Sequence, residues 1–379
     1  MMNPTSFPTL GILGAGQLGR MTALAAMRLG VHVRLLSNTS GHASAGLANL
    51  TIGDWSDPAV LGAFAEGCDV VTCESEWAPV SKLAALRPGL AVRPGHHTLE
   101  TIRDKGVQKK ALADAGLPIP AFALCATADD AHAEAMRFGY PVVLKRRRGS
   151  YDGYGNATVH DETSLRVAWS RLAQDDGLLV EEFATFSREL ATLVARRPGG
   201  EHVVYPVVYT EQRDHRCHAV VAPSGLPLAV EDEAKHMALA AVEAVGGIGI
   251  TGVELFEMPD GSLLVNELAP RPHNTGHYSI EGCHTSQFEN HVRAVLDWPL
   301  GSPDLRVPAA VMINILGHRE GQPRAEGLRD ALNQPCVSVH VYNKPDVRSR
   351  RKMGHVTATG IDPVAARKDA EHAAQAIQL

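Results

Sequence analysis

Over the first hundred positions, short apolar runs alternate with stretches in which apolar residues recur every three or four places. Thr9 to Leu13, Val31 to Ser37 and Asp69 to Ser75 read as buried strands, and their alternation with helical patterns predicts a parallel βαβ sheet. After Gly16, the apolar positions Leu18, Met21, Ala25 and Leu29 make one helical stripe, so a helix follows the first strand directly and its N-terminus is an anion site. Asp104 to Ala115 reads as another helix, closed by Pro118 and Pro120, and a domain boundary is expected near residue 100. A strand-and-helix unit leads into an apolar strand, Tyr140 to Lys145. Gly177 to Pro270 is strand-rich apart from a helical window over Ala229 to Val245. Strand patterns return around Val311 and Val337, and Asp362 with Pro363 opens a terminal helix as N-cap and first-turn proline.

Composition narrows the class. A chain of 379 residues has room for two or three domains, and 45% hydrophobic with 21% charged residues is ordinary for a soluble globular protein. A net charge of -6 argues against a nucleic-acid partner, because counterion release needs a clustered excess of cations. The six cysteines show no CxxC pair, which is neither a disulfide framework nor a zinc spacing and fits a reducing cytoplasm. No uncharged run reaches the roughly 20 residues of a membrane helix, and no targeting signal is read.

Three segments carry candidate chemistry. Gly14-Ala15-Gly16-Gln17-Leu18-Gly19 has the spacing of a dinucleotide fingerprint, but the second strand ends at Ser37 and Asn38 without the acid that would hold the ribose of NAD. A tight turn, or a different phosphate-bearing substrate, remains open. Next, Thr251 to Glu257 and Ser262 to Leu268 form two apolar strands around an Asp260-Gly261 turn. With those two residues as the loop, Glu254 lies opposite Glu267, sharing faces with Phe256 and Val265 respectively, and the like-charged pair calls for a divalent cation. Carboxylates with a neighbouring amide such as Asn266 suit magnesium. A three-residue loop would shift that register by one and leave a solvated face. Third, Lys145 ends its strand before Arg146, Arg147, Arg148 and a glycine-rich run, Gly149 to Gly155, readable as a phosphate clamp or as an exposed basic strand end.

The order of these parts (strand-end Lys145, glycine loop, Glu181-Glu182-Phe183 strand, acidic hairpin) resembles the ATP-grasp superfamily. The segments GILGAGQLGRM at 11–21, NELAPRPHNTGHY at 266–278 and RKMGH at 351–355 resemble, within it, the PurK family, the ATPase subunits of phosphoribosylaminoimidazole carboxylase or 5-(carboxyamino)imidazole ribonucleotide synthases. The resemblance implies an α/β and α+β chain in three parts. These are a Rossmann-like (pre-ATP-grasp) domain over about 1–100, an ATP-grasp domain over about 101–305 and a small β-rich C-terminal domain over about 306–379. The ATP-grasp small lobe would cover about 118–180 and its large lobe about 181–305.

It further implies that Lys105 and Lys145 contact ATP phosphates beneath a loop of Ser150, Tyr151, Asp152, Gly153 and Gly155. Glu181, Glu182, Phe183 and Ala184 would form the adenine hinge, Glu189 would hold the ribose, and Asn266 would lie beside the nucleotide. Glu254 and Glu267 would bind two Mg2+ ions, and Arg271, His273 and Asn274 would hold bicarbonate or carboxyphosphate as the catalytic group. Gly16, Gln17, Leu18, Glu74 or Glu76, Tyr151, Lys344 and Arg351 would surround aminoimidazole ribonucleotide. The implied reaction is ATP- and bicarbonate-dependent carboxylation of that ribonucleotide's amine in purine biosynthesis, by a cytoplasmic homodimer whose product passes to a separate mutase. No membrane or nucleic-acid partner is implied. Ser37, Ser150, Tyr154, Asn343 and Arg350 depart from the usual family residues, which leaves open an ATP-grasp enzyme acting on a different amine; an NAD-dependent dehydrogenase would need the ribose acid.

Overall fold

The structure is a computed structural model that describes residues 6–39, 43–47, 49–149, 155–213 and 216–379. Its strands form three sheets. The first is parallel, in the order β3-β2-β1-β4-β5, from β1 (Thr9–Leu13), β2 (His32–Ser37), β3 (Asn49–Ile52), β4 (Val70–Cys73) and β5 (Ala91–Val92). The connecting helices are α1 (Gln17–Arg28), α2 (Pro58–Glu66) and α3 (Val80–Leu86), followed by α4 (His96–Arg103) and α5 (Lys105–Asp114). On α1 the buried face is Gly19, Met21, Thr22, Ala23 and Ala26, rotated from the expected stripe, so Leu18, Ala25 and Leu29 are only partly buried. The small residues win because α1 lies close against the sheet, where Ala23 and Ala26 join Leu10, Ile12 and Leu35 in one core.

The second sheet is antiparallel, in the order β6-β9-β7-β8, from β6 (Phe122–Cys125), β7 (Val142–Arg146), β8 (Asn156–Val159) and β9 (Leu178–Glu182), and is covered by α6 (Ala128–Phe138) and α7 (Glu162–Leu172). Both helices start on capping boxes, Thr127 with Asp130 and Asp161 with Ser164.

The third sheet has nine antiparallel strands. Its members are β10 (Arg188–Arg196), β11 (His202–Val204), β12 (Val208–Arg213), β13 (Arg216–Ala222), β14 (Gly249–Glu257), β15 (Leu263–Ala269), β16 (Ala309–Leu316), β17 (Val337–Val341) and β18 (Lys352–Gly360). Their order is β15-β14-β10-β12-β13-β16-β18-β17, with β11 beside β10, so the sheet runs unbroken from the hairpin into the C-terminal strands. Helix α8 (Leu228–Ala244) covers one end and the terminal helix α12 (Pro363–Ala376) the other, after the short α9 (Ser279–Gly282), α10 (Gln287–Val295) and α11 (Leu328–Ala331). As expected, Asp362 caps α12, accepting from the N–H groups of Val364 and Ala365.

Helix α10 fastens the first sheet to the third. Val292, Val295 and Leu296 enter the core of the parallel sheet, while His291 Nε2 lies 2.9 Å from Thr72 Oγ1 on β4 and His291 Nδ1 accepts from the Ile250 N–H on β14 at 3.0 Å. Since Nδ1 is the acceptor, Nε2 carries the proton towards Thr72.

Candidate active site

The acidic hairpin departs from its expected geometry twice, and the two departures cancel. The Met258 N–H donates to the Ser262 carbonyl at 2.8 Å, closing a three-residue loop whose Gly261 has φ 86, rather than a two-residue turn. Next to the loop the register therefore pairs Phe256 with Leu264 and Leu255 with Val265. A bulge then adds Asn266 to β15, after which Glu254 faces Glu267 as expected. One detail is corrected: Val265 does not share a face with Glu267. It joins Val253, Leu255 and Leu268 in the core, while the bulge brings the Asn266 amide within 3.3 Å of Glu254 Oε2.

The two carboxylates differ in charge state. Lys105 Nζ lies 2.5 Å from Glu267 Oε2. Burial opposes ionisation of Glu267, but Lys105 outweighs it and holds the carboxyl below its usual range. Burial first, then Glu267 and Glu189, pushes Glu254 up to about 7.

Beside this pair, α5 and β7 build a line of lysines. Glu181, 3% exposed in its side chain, lies 2.7 Å from Lys109 Nζ and 2.5 Å from Lys145 Nζ. Burial opposes Glu181 ionisation, yet Lys145 and Lys109 outweigh it and lower its pKa, while burial brings Lys109 down to about 8. Lys105, Gln108, Lys109, Lys145, Asn266 and Glu267 line one cavity. Lys109 was not singled out from the sequence; its spacing of four from Lys105 on one helix face was the available signal. Gln108 is also new. Its side chain accepts from the Leu268 N–H at 3.0 Å and donates to the Leu268 carbonyl at 3.4 Å, pinning the strand that carries Glu267.

The arginine run does not face this cavity. Arg147 and Arg148 both bind buried Asp104, with Arg147 Nη2 at 2.7 Å and Arg148 Nε at 3.2 Å, and Arg146 donates to the backbone of Leu172 and Arg171. The run ties the glycine loop's base to α5, and Lys145 alone of the four cations turns to the lysine line. Gly155 returns the loop to the sheet, its carbonyl accepting from the Arg146 N–H at 2.8 Å. Ser150, Tyr151, Asp152, Gly153 and Tyr154 lie outside the described residues.

Glu182, Phe183 and Ala184 continue β9 towards β10 as a connector between the second and third sheets, with Glu182 exposed and Phe183 40% exposed. Glu189, on β10, pairs with Phe256, and the Phe256 ring stacks on Phe186 at 4.4 Å. Phe186 and its stacking on Phe256 carry no signal in the sequence pattern.

After β15 the chain carries Arg271, His273 and Asn274 back over the hairpin. His273 Nε2 is 3.7 Å from Glu254 Oε1, and its Nδ1 is 2.8 Å from Thr275 Oγ1. Arg271 Nε donates to Glu76 Oε2 at 3.2 Å. Asn274 behaves differently: its buried amide forms a reciprocal pair with Asn314 of β16, at 3.0 and 2.7 Å, so it braces the loop rather than presenting that face to an anion.

The glycine-rich entry holds an anion from within the chain. Glu74 Oε1 accepts from the Gly16 N–H and Oε2 from the Gly19 N–H, each at 2.7 Å, so a carboxylate takes the N-terminus of α1. Gly14, at φ 115, is required there, because a Cβ would fall 2.2 Å from Glu74 Cγ. Of the two acids considered for the ribonucleotide, Glu74 is thus committed to this turn and Glu76 to Arg271. Gln17 and Lys344 are brought together, Lys344 Nζ donating to Gln17 Oε1 at 2.7 Å and to the Lys352 carbonyl at 2.5 Å. Leu18 packs towards Met21, Phe288 and Tyr342, and Arg351 Nη1 pairs with Asp346.

Comparison with known proteins follows this geometry. Residues 7–103 match the ribonucleotide synthetase preATP-grasp domain, 110–288 the ATP-grasp domain, and 310–369 the phosphoribosylaminoimidazole carboxylase C-terminal domain. The N5-carboxyaminoimidazole ribonucleotide synthase of Mycobacterium tuberculosis (strain ATCC 25618 / H37Rv) is 42% identical over 369 residues, covering 94% of this chain and 85% of that protein. That of Synechococcus elongatus is 38% identical, covering 97% of this chain and 92% of that protein. Among solved structures, N5-carboxyaminoimidazole ribonucleotide synthetase from Thermotoga maritima superposes with a TM-score of 0.87 at 37% identity, covering 98% of this chain and 99% of that one. The Aspergillus clavatus synthase, solved with ADP and 5-aminoimidazole ribonucleotide, gives 0.88 at 31% identity, covering 97% and 98% of the two chains.

Proposed function

This chain belongs to the N5-carboxyaminoimidazole ribonucleotide synthase family of ATP-grasp enzymes, and from that premise we infer that its cavity is the site of ATP-dependent carboxylation of 5-aminoimidazole ribonucleotide. The observation that carries the residue-level reading is the adjacency of His273 to Glu254, 3.7 Å apart, which sets an anion-binding loop against the carboxylate pair of an ATP site.

The donor set fits magnesium. Glu254 and Glu267 offer carboxylate oxygens, the Asn266 side-chain oxygen beside them is buried and has no partner among the described residues, and burial together with Glu267 raises the Glu254 carboxyl to about 7, the penalty a cation would relieve. When bound, two such ions would neutralise charge on the transferring phosphoryl group.

Lys105 and Lys145 bind the ATP phosphates, Glu189 meets the ribose, and of the expected hinge Glu181 to Ala184 only Glu182 to Ala184 meet the adenine, because Glu181 is buried between Lys109 and Lys145. Arg271 presents a planar cation suited to a carboxylate or phosphate, and with His273 it orients bicarbonate. Bicarbonate oxygen forms a bond to the γ-phosphorus as the bond to ADP breaks, giving carboxyphosphate and ADP. The ribonucleotide amine then takes the carboxyl carbon, releasing inorganic phosphate and one proton. Water must be kept from the site during the reaction, since it would otherwise hydrolyse the intermediate. Gln17 and Lys344 hold the ribonucleotide, with Arg351 beside them. The family resemblance supports a cytoplasmic homodimer that hands its product to a separate mutase. The test is ADP release with bicarbonate and aminoimidazole ribonucleotide supplied singly and together; full turnover without the ribonucleotide, and no carboxylated product with it, overturns the reading.

A further inference from the structure

Gln287, the first residue of α10, is fully buried, and its amide is given to the backbone of a single residue. Oε1 accepts from the His273 N–H at 2.8 Å, and Nε2 donates to the His273 carbonyl at 2.7 Å. That is the pairing a neighbouring strand would supply, placed where 271–273 run outside any strand. The two contacts also fix which end of the amide is which, since exchanging O and N would set donor against donor and acceptor against acceptor.

Nε2 therefore also donates to His277 Nδ1, at 3.0 Å, and the proton of the His277 ring must sit on Nε2. Burial holds that ring neutral, with its pKa well below the usual histidine value. Ser279 Oγ completes the brace, accepting from the Gln287 N–H at 2.9 Å and donating to the Gly276 carbonyl at 2.6 Å. Glycine at 276 is a consequence: a Cβ there would lie 2.6 Å from Gln287 Oε1 and 2.4 Å from Leu193 Cδ1.

The brace reaches the C-terminal strands. The His277 and His355 rings are 4.8 Å apart, and His355 Nδ1 lies 2.9 Å from the Tyr342 hydroxyl, two residues before Lys344.

We propose that Gln287 is a positioning residue for carboxyl transfer, holding both backbone groups of His273 so that its imidazole stays fixed over the anion, and coupling that loop through His277 and His355 to the β17–β18 connection that carries Lys344. The inference rests on the reading of His273 given above. A loop released by even about 1 Å is enough to cost on the order of 100-fold in a positioned reaction, and here the loss falls on the step that competes with hydrolysis.

The experiment compares Gln287→Met, which keeps the volume but has no donor and only a weakly accepting sulfur, with wild type and with His273→Gln. Phosphate released per amine carboxylated should rise by about tenfold or more in Gln287→Met, with the KM for ATP changed by less than about twofold. His273→Gln should uncouple in the same way. If His273→Gln uncouples and folded Gln287→Met does not, the positioning role is overturned; if His273→Gln itself stays coupled, the reading of His273 falls and the inference with it. Nitrogen-15 NMR of His277 in the wild-type protein gives an arm that no folding defect can obscure. The Nε2–H tautomer is expected, and an Nδ1–H tautomer overturns the clamp.

Discussion

Glu254 and Glu267 face each other across the β14–β15 ladder because Asn266 stands as one extra residue in β15. Without that bulge the three-residue loop would pair Glu254 with Asn266 and turn the second carboxylate to the wrong face. With it, the two carboxylates and the Asn266 side chain meet beside Lys105 and Lys145, the Asn266 Nδ2–H donating to Glu254 Oε2, and strand alternation alone could not have placed consecutive residues 266 and 267 on one side.

Glu267→Gln keeps the shape of the side chain and removes the charge that pairs with Lys105. Turnover is expected to fall by several orders of magnitude, because the proposed phosphoryl transfer would draw on the cations that this carboxylate pair would hold, while the circular dichroism spectrum stays that of wild type. Wild-type ATPase activity in the folded variant would remove the carboxylate pair from the site.

The metal-free protein should lose stability as pH rises towards neutrality. Burial and Glu267 raise the Glu254 carboxyl from 4.5 to about 7, so between those values the folded state holds a proton that the unfolded chain has released. This contribution is complete below the unfolded pKa and lost as pH climbs through the folded one. Melting temperatures measured across that window should fall with pH in wild type and fall less in Glu254→Gln. Added Mg2+ should stabilise wild type more at the alkaline end, where it no longer displaces a proton.

Part of this site was legible and part was not, for reasons set by distance along the chain. The Asp362 cap, the β1–α1 turn and the Glu254–Glu267 pairing rest on contacts between near neighbours, and all three were readable from spacing. The pairing was right although the loop length was not, since an apolar pattern cannot distinguish a two-residue loop from a three-residue loop followed by a bulge. What the pattern could not show was which internal partner would claim each charge. The fingerprint at Gly14 to Gly19 looks the same whether its anion is a ligand or Glu74, and the arginine run looks the same whether it meets phosphate or Asp104. Only the fold brings those residues together. The family resemblance put Asn274 on bicarbonate with Arg271 and His273, whereas its pairing with Asn314 depends on a strand forty residues away.

Glu74→Ala should test the occupied turn directly. It leaves the N–H groups of Gly16 and Gly19 without their carboxylate, at a cost of about 3 kcal/mol for two charge-assisted hydrogen bonds. Chemical denaturation should show that loss, and the KM for ATP should stay near its wild-type value, since α1 lies outside the lysine-lined cavity. An ATP effect as large as the stability effect would mean that the glycine turn serves the nucleotide.

Asn343 and Arg350 stand where the family resemblance leads to glycine, and both keep the left-handed backbone that glycine would take, at φ 53 and φ 68. Asparagine tolerates that region because its short side chain bonds locally, whereas a long side chain carries a cost of about 1 kcal/mol. The turn is held from both sides, the Arg350 N–H donating to the Gly317 carbonyl at 2.7 Å and the Gly317 N–H to the Arg351 carbonyl at 2.8 Å, so the chain cannot relax out of it. Arg350→Gly should therefore stabilise the protein by about 1 kcal/mol, and Asn343→Gly by clearly less. The use proposed for Arg350 is charge. It adjoins Arg351 and would supply the ribonucleotide phosphate with the cation that Tyr154 does not. On this argument Arg350→Gly raises the KM for the ribonucleotide severalfold while raising stability, and adding Tyr154→Lys recovers much of the loss, a non-additive double-mutant cycle. A purely structural Arg350 would give the gain in stability with no change in KM, and additive effects would separate the two positions.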